Sequence, residues 1–275
     1  MGRAGGERLS DRGLLPGRYD PRFARVFGWY TRRLLRKRFF AVRLAREDAA
    51  MLRGLAHHEG PLVIALAHPS WWDPLLAVLL AREFLPERSG CGPMDADQLR
   101  RFGLFRRLGL FGVDPDDPAS LRAMGDYVAE VFAREARPTF YVTPQGHFTD
   151  PRDPVRLRPG AAAVAAAHPM ARAVVVALEY AFWQDQRPEA FLAAAECRPA
   201  RRTMTGWHRT LQSSLQAEAD RLALLVRARD PEPFETLVGD EQASIQPVYD
   251  LWLRVTGRGG AIAARRRAEE ATGPR

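Results

Sequence analysis

Apolar and polar residues first alternate in this chain with the rhythm of a helix. Between residues 22 and 34, apolar side chains recur every three or four positions and arginines occupy the opposite side, as in an amphipathic helix. Past residue 35 the separation is lost, but the segment up to residue 46 is still predicted to be helical. The apolar side consists of Phe23, Val26, Phe27, Tyr30 and Leu34, and the arginine side of Arg22, Arg25, Arg32 and Arg33.

Further along, short apolar runs alternate with helical segments. Four runs predict strands, and two Asp-Pro pairs predict helix starts, because Asp caps a helix and Pro fits its first turn. This alternation indicates an α/β fold with a mainly parallel central sheet flanked by helices, preceded by an N-terminal amphipathic helical arm. The predicted strands are 62–67, 139–143, 173–180 and 190–196; the predicted helices begin at Asp73-Pro74 or cover 119–136, 160–168, 205–229 and 241–256.

Three regions are predicted along the 275 residues. Residues 1–46 form a basic amphipathic N-terminal arm, residues 47–260 the α/β domain, and residues 261–275 a basic C-terminal tail. Hydrophobic residues make up 46% of the chain, which suffices for a sizeable core. The longest apolar runs fall far short of the roughly 20 residues of a spanning helix, so we expect neither a membrane span nor a secretory signal.

Charge sets the arm apart from the body. The chain has 41 basic and 33 acidic residues, but residues 1–46 hold 13 basic and 3 acidic residues, a net charge of +10 that leaves the rest slightly negative. This distribution disfavours a protein coated with positive charge for general nucleic-acid binding and predicts one surface that seeks an anionic partner. Two cysteines are too few for a disulfide framework, which indicates a reducing compartment.

The first residues that can carry chemistry are His68 and Asp73. His68 directly follows the predicted strand 62–67, at a carboxyl end where α/β sheets bind ligands. Asp73 can fold back so that its carboxylate holds the Nδ1–H of the imidazole, which leaves Nε2 as a base for a substrate hydroxyl. The spacing alone also allows Asp73 to be a helix cap and His68 a buried histidine with a structural role.

A second polar turn follows the predicted strand 139–143. Its glycine permits close backbone approach or a positive φ, and the arginines beyond it precede a helix start, where an anion site is expected. An ordinary surface loop with solvated arginines is the alternative. The turn is Thr143-Pro144-Gln145-Gly146-His147-Phe148, and the arginines are Arg152, Arg156 and Arg158.

Several blocks together resemble the lysophospholipid and glycerol-phosphate acyltransferase family. The stretch His68-Pro-Ser-Trp-Trp-Asp73 is similar to its first block, in which four residues separate a His from an Asp, and Pro144-Gln145-Gly146 stands where the family has Pro-Glu-Gly. The order and spacing of the blocks over about residues 60–200 carry the resemblance. The other similar blocks are 108–113, 157–161 and 174–178.

The resemblance implies a membrane-associated O-acyltransferase that moves a fatty acyl group from a thioester to a hydroxyl of a (lyso)glycerolipid such as lysophosphatidate. His68 would deprotonate the hydroxyl, Asp73 would orient His68, and oxyanion donors are expected near Gly146. The donor would be acyl-coenzyme A or acyl carrier protein, with no bound cofactor and no metal. The implied substrate-binding residues are Ser70, Gln145, Gly146, His147 and Arg158.

Departures from the family pattern keep other functions open. Gln145 replaces the family's Glu, His147 and Phe148 stand at its Thr and Arg positions, and Asp114 stands where a basic residue is expected. Because those basic positions are associated with the acceptor's phosphate in the family, a non-phosphorylated glycolipid or other lipid hydroxyl is an alternative acceptor, unless Arg152, Arg156 or Arg158 substitutes. A catalytically inactive lipid-binding relative is a further alternative.

The resemblance also gives the basic arm a partner. A helix with an aromatic side and an arginine side can lie at a bilayer interface, so we expect residues 21–46 to contact an anionic membrane surface. The protein is then expected as a peripheral protein on the cytoplasmic face of a membrane, without nucleic acid. A nucleic-acid binder that uses the basic arm remains the competing non-enzymatic hypothesis.

Overall fold

The computed structural model describes residues 14–114, 116–183 and 185–239, so the predicted helix 241–256, the predicted C-terminal tail and the first 13 residues lie outside it. Eight strands form one sheet, flanked by seven α-helices and one 3₁₀ turn in these described ranges. The strands are β1 (Ala41–Ala45), β2 (Leu62–Leu66), β3 (Ser89–Asp95), β4 (Leu110–Val113), β5 (Pro138–Val142), β6 (Arg172–Ala181), β7 (Glu189–Cys197) and β8 (Phe234–Gly239). The helices are α1 (Pro21–Arg38), α2 (Arg46–Leu55), α3 (Asp73–Phe84), α4 (Ala96–Arg101), α5 (Pro118–Arg134), α6 (Gly160–Ala167) and α7 (Met204–Ala228), and the 3₁₀ turn is Gly103–Leu108.

The sheet is mixed but mostly parallel, in the order β4-β3-β5-β2-β6-β7-β1-β8. The first five strands of this order run parallel to one another, β7 is antiparallel to β6, β1 is parallel to β7, and β8 is antiparallel to β1. The predicted α/β class and its mainly parallel sheet are therefore confirmed. The carboxyl ends of β2, β5 and β6 meet at one edge, near the middle of the sheet.

Alternate residues of the central strands face two separate cores. On β6, Val174 and Val176 face the core shared with α1, α2 and α3, whereas Ala173 and Val175 face the core shared with α5, α6 and α7. All four side chains are fully buried. Helices thus cover both faces of the sheet, as its continuous apolar strands require.

The predicted N-terminal helix is too long. The helix ends at Arg38, and residues 41–45 form β1, which lies between β7 and β8 inside the sheet. Every residue of β1 is buried, and Arg43 is tolerated there because its Nε donates to Glu189 at 2.6 Å. The predicted boundary at residue 46 therefore assigns β1 to the arm, although β1 is part of the sheet.

Helix α1 packs on α3, and none of its buried residues belongs to the predicted apolar side. Its buried residues are Gly28, Thr31 and Leu35, and Gly28 lies against the side chain of Arg82 near the end of α3. Of the predicted apolar side, Phe27 stacks edge-on against Phe105, with ring centroids 6.0 Å apart. The outer side is exposed and mixes apolar with basic residues, namely Val26, Trp29 and Tyr30 with Arg22, Arg25, Arg33, Arg36 and Lys37.

Candidate active site

His68 and Asp73 are in direct contact. His68 lies two residues beyond β2, and the turn that follows it brings Asp73, the first residue of α3, back to the imidazole. The distance from His68 Nδ1 to Asp73 Oδ2 is 2.8 Å. Asp73 is completely buried, whereas 19% of the His68 side chain is exposed. Because a carboxylate accepts at Nδ1, that nitrogen carries the proton, and no described residue hydrogen-bonds to Nε2, which is left as the basic nitrogen.

Asp73 serves the histidine rather than capping α3. No side chain caps this helix, although Asp-Pro predicted a cap. Its carboxylate instead accepts the backbone N–H of Ser70 on Oδ2 at 2.8 Å and the hydroxyl of Tyr180 on Oδ1 at 2.6 Å. The reading of Asp73 as a helix cap is thus wrong. Both carboxylate oxygens are satisfied, as a fully buried charge requires.

Tyr180 is a site residue that the sequence analysis did not identify. It lies on β6, the strand beside β2, and its phenol reaches across to Asp73. Burial raises the pKa of Tyr180, and the neighbouring Asp73 raises it further, so the phenol stays protonated and donates. The Ser70 side chain acts on the phenol in the opposite direction and lowers its pKa by a smaller amount. The ring of Phe39 lies 5.9 Å from that of Tyr180 and 5.1 Å from that of Trp72, which closes this side of the site.

The turn after β5 holds the backbone of His68. Gln145 Oε1 accepts the His68 N–H at 2.8 Å, and the backbone N–H of Thr149 donates to the His68 carbonyl at 3.0 Å. The amide orientation of Gln145 follows from this contact, since only its oxygen can accept. Its Nε2 therefore donates to Thr149 Oγ1, at 2.6 Å. Gln145 is buried and acts as a bridge between the two turns.

Gly146 is required by the shape of the same turn. Its φ is +76°, and a Cβ placed on it would lie 2.7 Å from Arg158 Nε. The N–H of Gly146 donates to the Thr143 carbonyl at 3.1 Å, so this N–H closes the turn. It is not available as the oxyanion donor that the sequence predicted near Gly146. Arg158 in turn donates its backbone N–H to Pro144, at 2.7 Å.

Aromatic side chains surround the open side of His68. The ring of Phe148 lies 4.5 Å from the imidazole, centroid to centroid, while the Phe148 side chain remains 55% exposed. Trp71, in the turn between β2 and α3, is 76% exposed. His147 is exposed on the turn beside Phe148. The mouth of the site is therefore largely apolar.

Of the three arginines beyond the turn, Arg152 is already paired with a carboxylate. Arg152 forms two hydrogen bonds to Asp150, at 2.7 and 2.5 Å, and this pairing lowers the pKa of Asp150 to about 2. Arg158 lies over Gly146, and Arg156 is exposed. The charge of Arg152 is thereby matched by a neighbouring carboxylate.

Neither a metal-binding cluster nor a membrane-spanning helix occurs in the part of the chain that the structure describes. In residues 14–114, 116–183 and 185–239, no group of three or more His, Cys, Asp and Glu side chains is placed to hold a metal ion. Over the same ranges, none of the helices combines the length and apolar character needed to cross a bilayer.

Comparison with known proteins adds no relative to this description. No protein-family model matches the chain, and no curated protein is significantly similar to it. The geometry around His68 and the resemblance of the sequence blocks are the two observations that point to a function.

Proposed function

We propose that this protein is an O-acyltransferase in which His68 acts as the general base. The observation that carries the proposal is the His68–Asp73 pair, with Nδ1 held at 2.8 Å by a buried carboxylate and Nε2 open at the carboxyl edge of the sheet. No serine or cysteine is needed as nucleophile if the base acts directly on a substrate hydroxyl. The block resemblance to lysophospholipid and glycerol-phosphate acyltransferases supports the same reaction.

The proposed reaction takes place in two proton transfers. His68 Nε2 removes the proton of the acceptor hydroxyl while its oxygen attacks the carbonyl carbon of an acyl thioester, so that a C–O bond forms. When the tetrahedral intermediate collapses, the C–S bond breaks and the imidazolium returns its proton to the leaving thiolate. Asp73 remains ionised throughout and stabilises the imidazolium. The thioester would be acyl-coenzyme A or an acyl carrier protein, and no protein-bound cofactor takes part in these steps.

The acceptor is a hydroxyl of a lipid. A (lyso)glycerolipid such as lysophosphatidate is the acceptor that the family resemblance favours. A non-phosphorylated lipid, such as a glycolipid, is favoured by two features of the site: Phe148 stands 4.5 Å from His68, and Arg152 is paired with Asp150. Neither feature offers an unmatched positive charge to a phosphate.

A screen of lipid acceptors with a labelled acyl thioester tests the activity. We expect transfer by the wild-type protein and a loss of 10²-fold or more in His68→Ala, on the order of the contribution of a general base. Competition between lysophosphatidate and a glycosylated lipid separates the two acceptors. An active His68→Ala protein with a native circular-dichroism spectrum would refute the role of His68. No transfer to any acceptor would favour the inactive lipid-binding relative.

The outer side of α1 supports a peripheral membrane location, with an anionic bilayer as partner. Val26, Trp29 and Tyr30 are 65%, 57% and 51% exposed, and α1 carries no acidic residue. Apolar and basic side chains on one side of a helix suit the headgroup region of an anionic leaflet, where each basic residue contributes about 1 kcal/mol. We propose that this side docks the protein on the cytoplasmic face of a membrane.

Flotation with vesicles tests the docking without any need for catalysis. Wild-type protein is expected to float with anionic vesicles and far less with neutral ones, and Trp29→Ser with Tyr30→Ser is expected to reduce the bound fraction. Leu224→Ser is the matched control, because Leu224 is 65% exposed on α7. Strong, salt-sensitive DNA binding without flotation would instead support the nucleic-acid hypothesis.

A further inference from the structure

Three donors converge on the Asp73 carboxylate, and they come from two distant parts of the chain. The imidazole Nδ1–H and the Ser70 N–H reach Oδ2, both at 2.8 Å, and the Tyr180 hydroxyl reaches Oδ1 at 2.6 Å. The first two belong to the turn that contains Asp73, whereas Tyr180 is 107 residues away, on β6. In the part of the chain that the structure describes, Tyr180 alone bonds to Oδ1.

We infer that Tyr180 is a positioning residue for the base: its hydroxyl holds the Asp73 carboxylate in the plane that His68 requires and takes a share of its negative charge. The kinetic part of this inference rests on the proposed function, but the proton equilibrium of His68 can be measured without it. A hydrogen bond to a charged group is among the stronger ones, and its effect grows where water is excluded.

Tyr180 acts on the second carboxylate oxygen of Asp73, Oδ1. Without Tyr180, Oδ1 would be a buried acceptor of a fully buried charge with no donor. The whole charge of Asp73 would then act on the imidazole, which favours its protonated form. With the phenol in place, His68 is held in orientation but gives up its proton more readily, as a base that must be neutral before each turnover requires.

Other charged groups at this end of the molecule are already paired or exposed. The elements packed against the network contribute uncharged side chains. The ring of Phe39, which follows α1, lies against Tyr180, and the turn after β5 contributes Gln145, Phe148 and Thr149. Glu179 is on the opposite face of β6, and burial raises its pKa. Further described groups at this end include Arg36, Lys37 and Arg38, exposed on the last turn of α1; Arg187, paired with Asp185; Arg43, paired with Glu189; and Arg152, paired with Asp150.

Nitrogen NMR of the imidazoles in the full chain tests the inference directly. Tyr180→Phe keeps the ring packed on Phe39 but removes the hydroxyl. In this variant the His68 titration is expected to move to higher pH than in the wild type. The NMR signal of His68 is assigned as the one that is missing in His68→Ala. Tyr127→Phe is the matched control, because its half-buried phenol bonds to Gly17 at 3.0 Å and is remote from Asp73. The control is expected to leave the His68 titration unchanged.

Kinetics supply a second readout where transfer activity is found. Tyr180→Phe is expected to lower kcat by on the order of 10-fold, as for one lost hydrogen bond to a charged group, with KM nearly unchanged and the acidic limb of the pH–rate profile moved to higher pH. Ser70→Ala, which retains the backbone donor, is expected to move the titration less and in the same direction. This second variant decides the matter if Tyr180→Phe fails to fold.

The inference is overturned if the His68 titration is unchanged, or moves to lower pH, in a folded Tyr180→Phe protein or, where that variant does not fold, in Ser70→Ala. A fall in kcat with no movement of the pH profile would also overturn it, since a merely structural role gives that result. A displaced titration in a protein with no transferase activity would support the positioning role and count against the proposed function instead.

Discussion

At the amino ends of β2 and β5, the buried Arg88 links the two strands by hydrogen bonds, whereas at their carboxyl ends His68 is held by hydrogen bonds but keeps one ring nitrogen free. Arg88 is buried and donates to the carbonyls of His58, Gly60 and Pro138, at 2.5, 2.6 and 2.9 Å, and to Thr139 Oγ1 at 3.0 Å. Burial lowers the pKa of Arg88 to about 10, so its charge is constant near neutral pH.

His68 is also held by several hydrogen bonds, but one of its ring nitrogens remains free. Its backbone is held by Gln145 and Thr149 and its Nδ1 by Asp73, yet no described residue bonds to Nε2. Unlike arginine, a histidine changes charge near neutral pH. The buried polar networks at the two ends of the same strands therefore differ in one respect. The network of Arg88 stabilises the fold, whereas the network of His68 leaves one basic nitrogen open and can do chemistry.

Removing the arginine is the change with the largest expected effect on stability. Arg88→Met leaves four acceptors without this donor, three of them in buried contacts, and we expect it to lower the free energy of unfolding by about 3 kcal/mol or more. Urea unfolding measures this loss, with Arg82→Met as the control. Arg82 is partly exposed and pairs weakly with Glu83, so its loss is expected to cost less than about 1 kcal/mol. Equal stability of wild type and Arg88→Met would contradict the contrast between the two ends.

At the carboxyl end, the effect on activity is expected to exceed the effect on stability. Gln145→Ala removes the acceptor for the His68 N–H and is expected to reduce acyl transfer by roughly 10- to 100-fold while costing about 1–2 kcal/mol of stability. Gln145→Glu is the matched variant, because a carboxylate can accept from both His68 and Thr149, and it is expected to recover most of the rate. Initial rates and urea unfolding on the same samples decide; a fully active Gln145→Ala protein would rule out the bridge.

The sequence predicted the parts of the fold that have simple patterns. Continuous apolar runs identified β2, β5, β6 and β7, and Asp-Pro pairs identified the starts of α3 and α5. Four strands, β1, β3, β4 and β8, were not predicted. In β1, Arg43 interrupts the apolar run, and its partner Glu189 is 146 residues away. The local sequence therefore does not distinguish a strand from a continuation of the preceding helix. In β3, Gly92 is needed because the Tyr141 carbonyl would lie 2.6 Å from a Cβ, and glycine weakens any strand signal.

Predictability of the site followed sequence distance. Asp73 lies five positions after His68, and their contact could be expected from a short turn. Tyr180 was not found, because nothing in its local sequence shows that β6 lies beside β2. The role of Gln145 was also hidden: the sequence marks it as a replacement for Glu, whereas the structure shows what each half of its amide contacts.

The smallest expected effect compares the two ends directly as surfaces. Trp71 is 76% exposed at the carboxyl end, and Met170 is 69% exposed at the amino end, where its carbonyl lies 3.0 Å from His58 Nε2. Each can be replaced by cysteine and labelled with a polarity-sensitive dye. The native Cys91 and Cys197 are buried, and burial raises their pKa to about 12 and about 11, so they will react poorly.

If the site at the carboxyl ends of the strands acts on a membrane lipid, only the dye at position 71 should enter an apolar environment when anionic vesicles are added. The basic last turn of α1 leads to Phe39, which packs on Trp72, so docking of α1 would bring the neighbouring position 71 towards the bilayer. We expect a blue shift of the emission at position 71 and none at position 170. Equal shifts at both positions would mean that the vesicle does not distinguish the two ends. The two ends would then differ in their hydrogen-bond networks but not in their contact with the membrane.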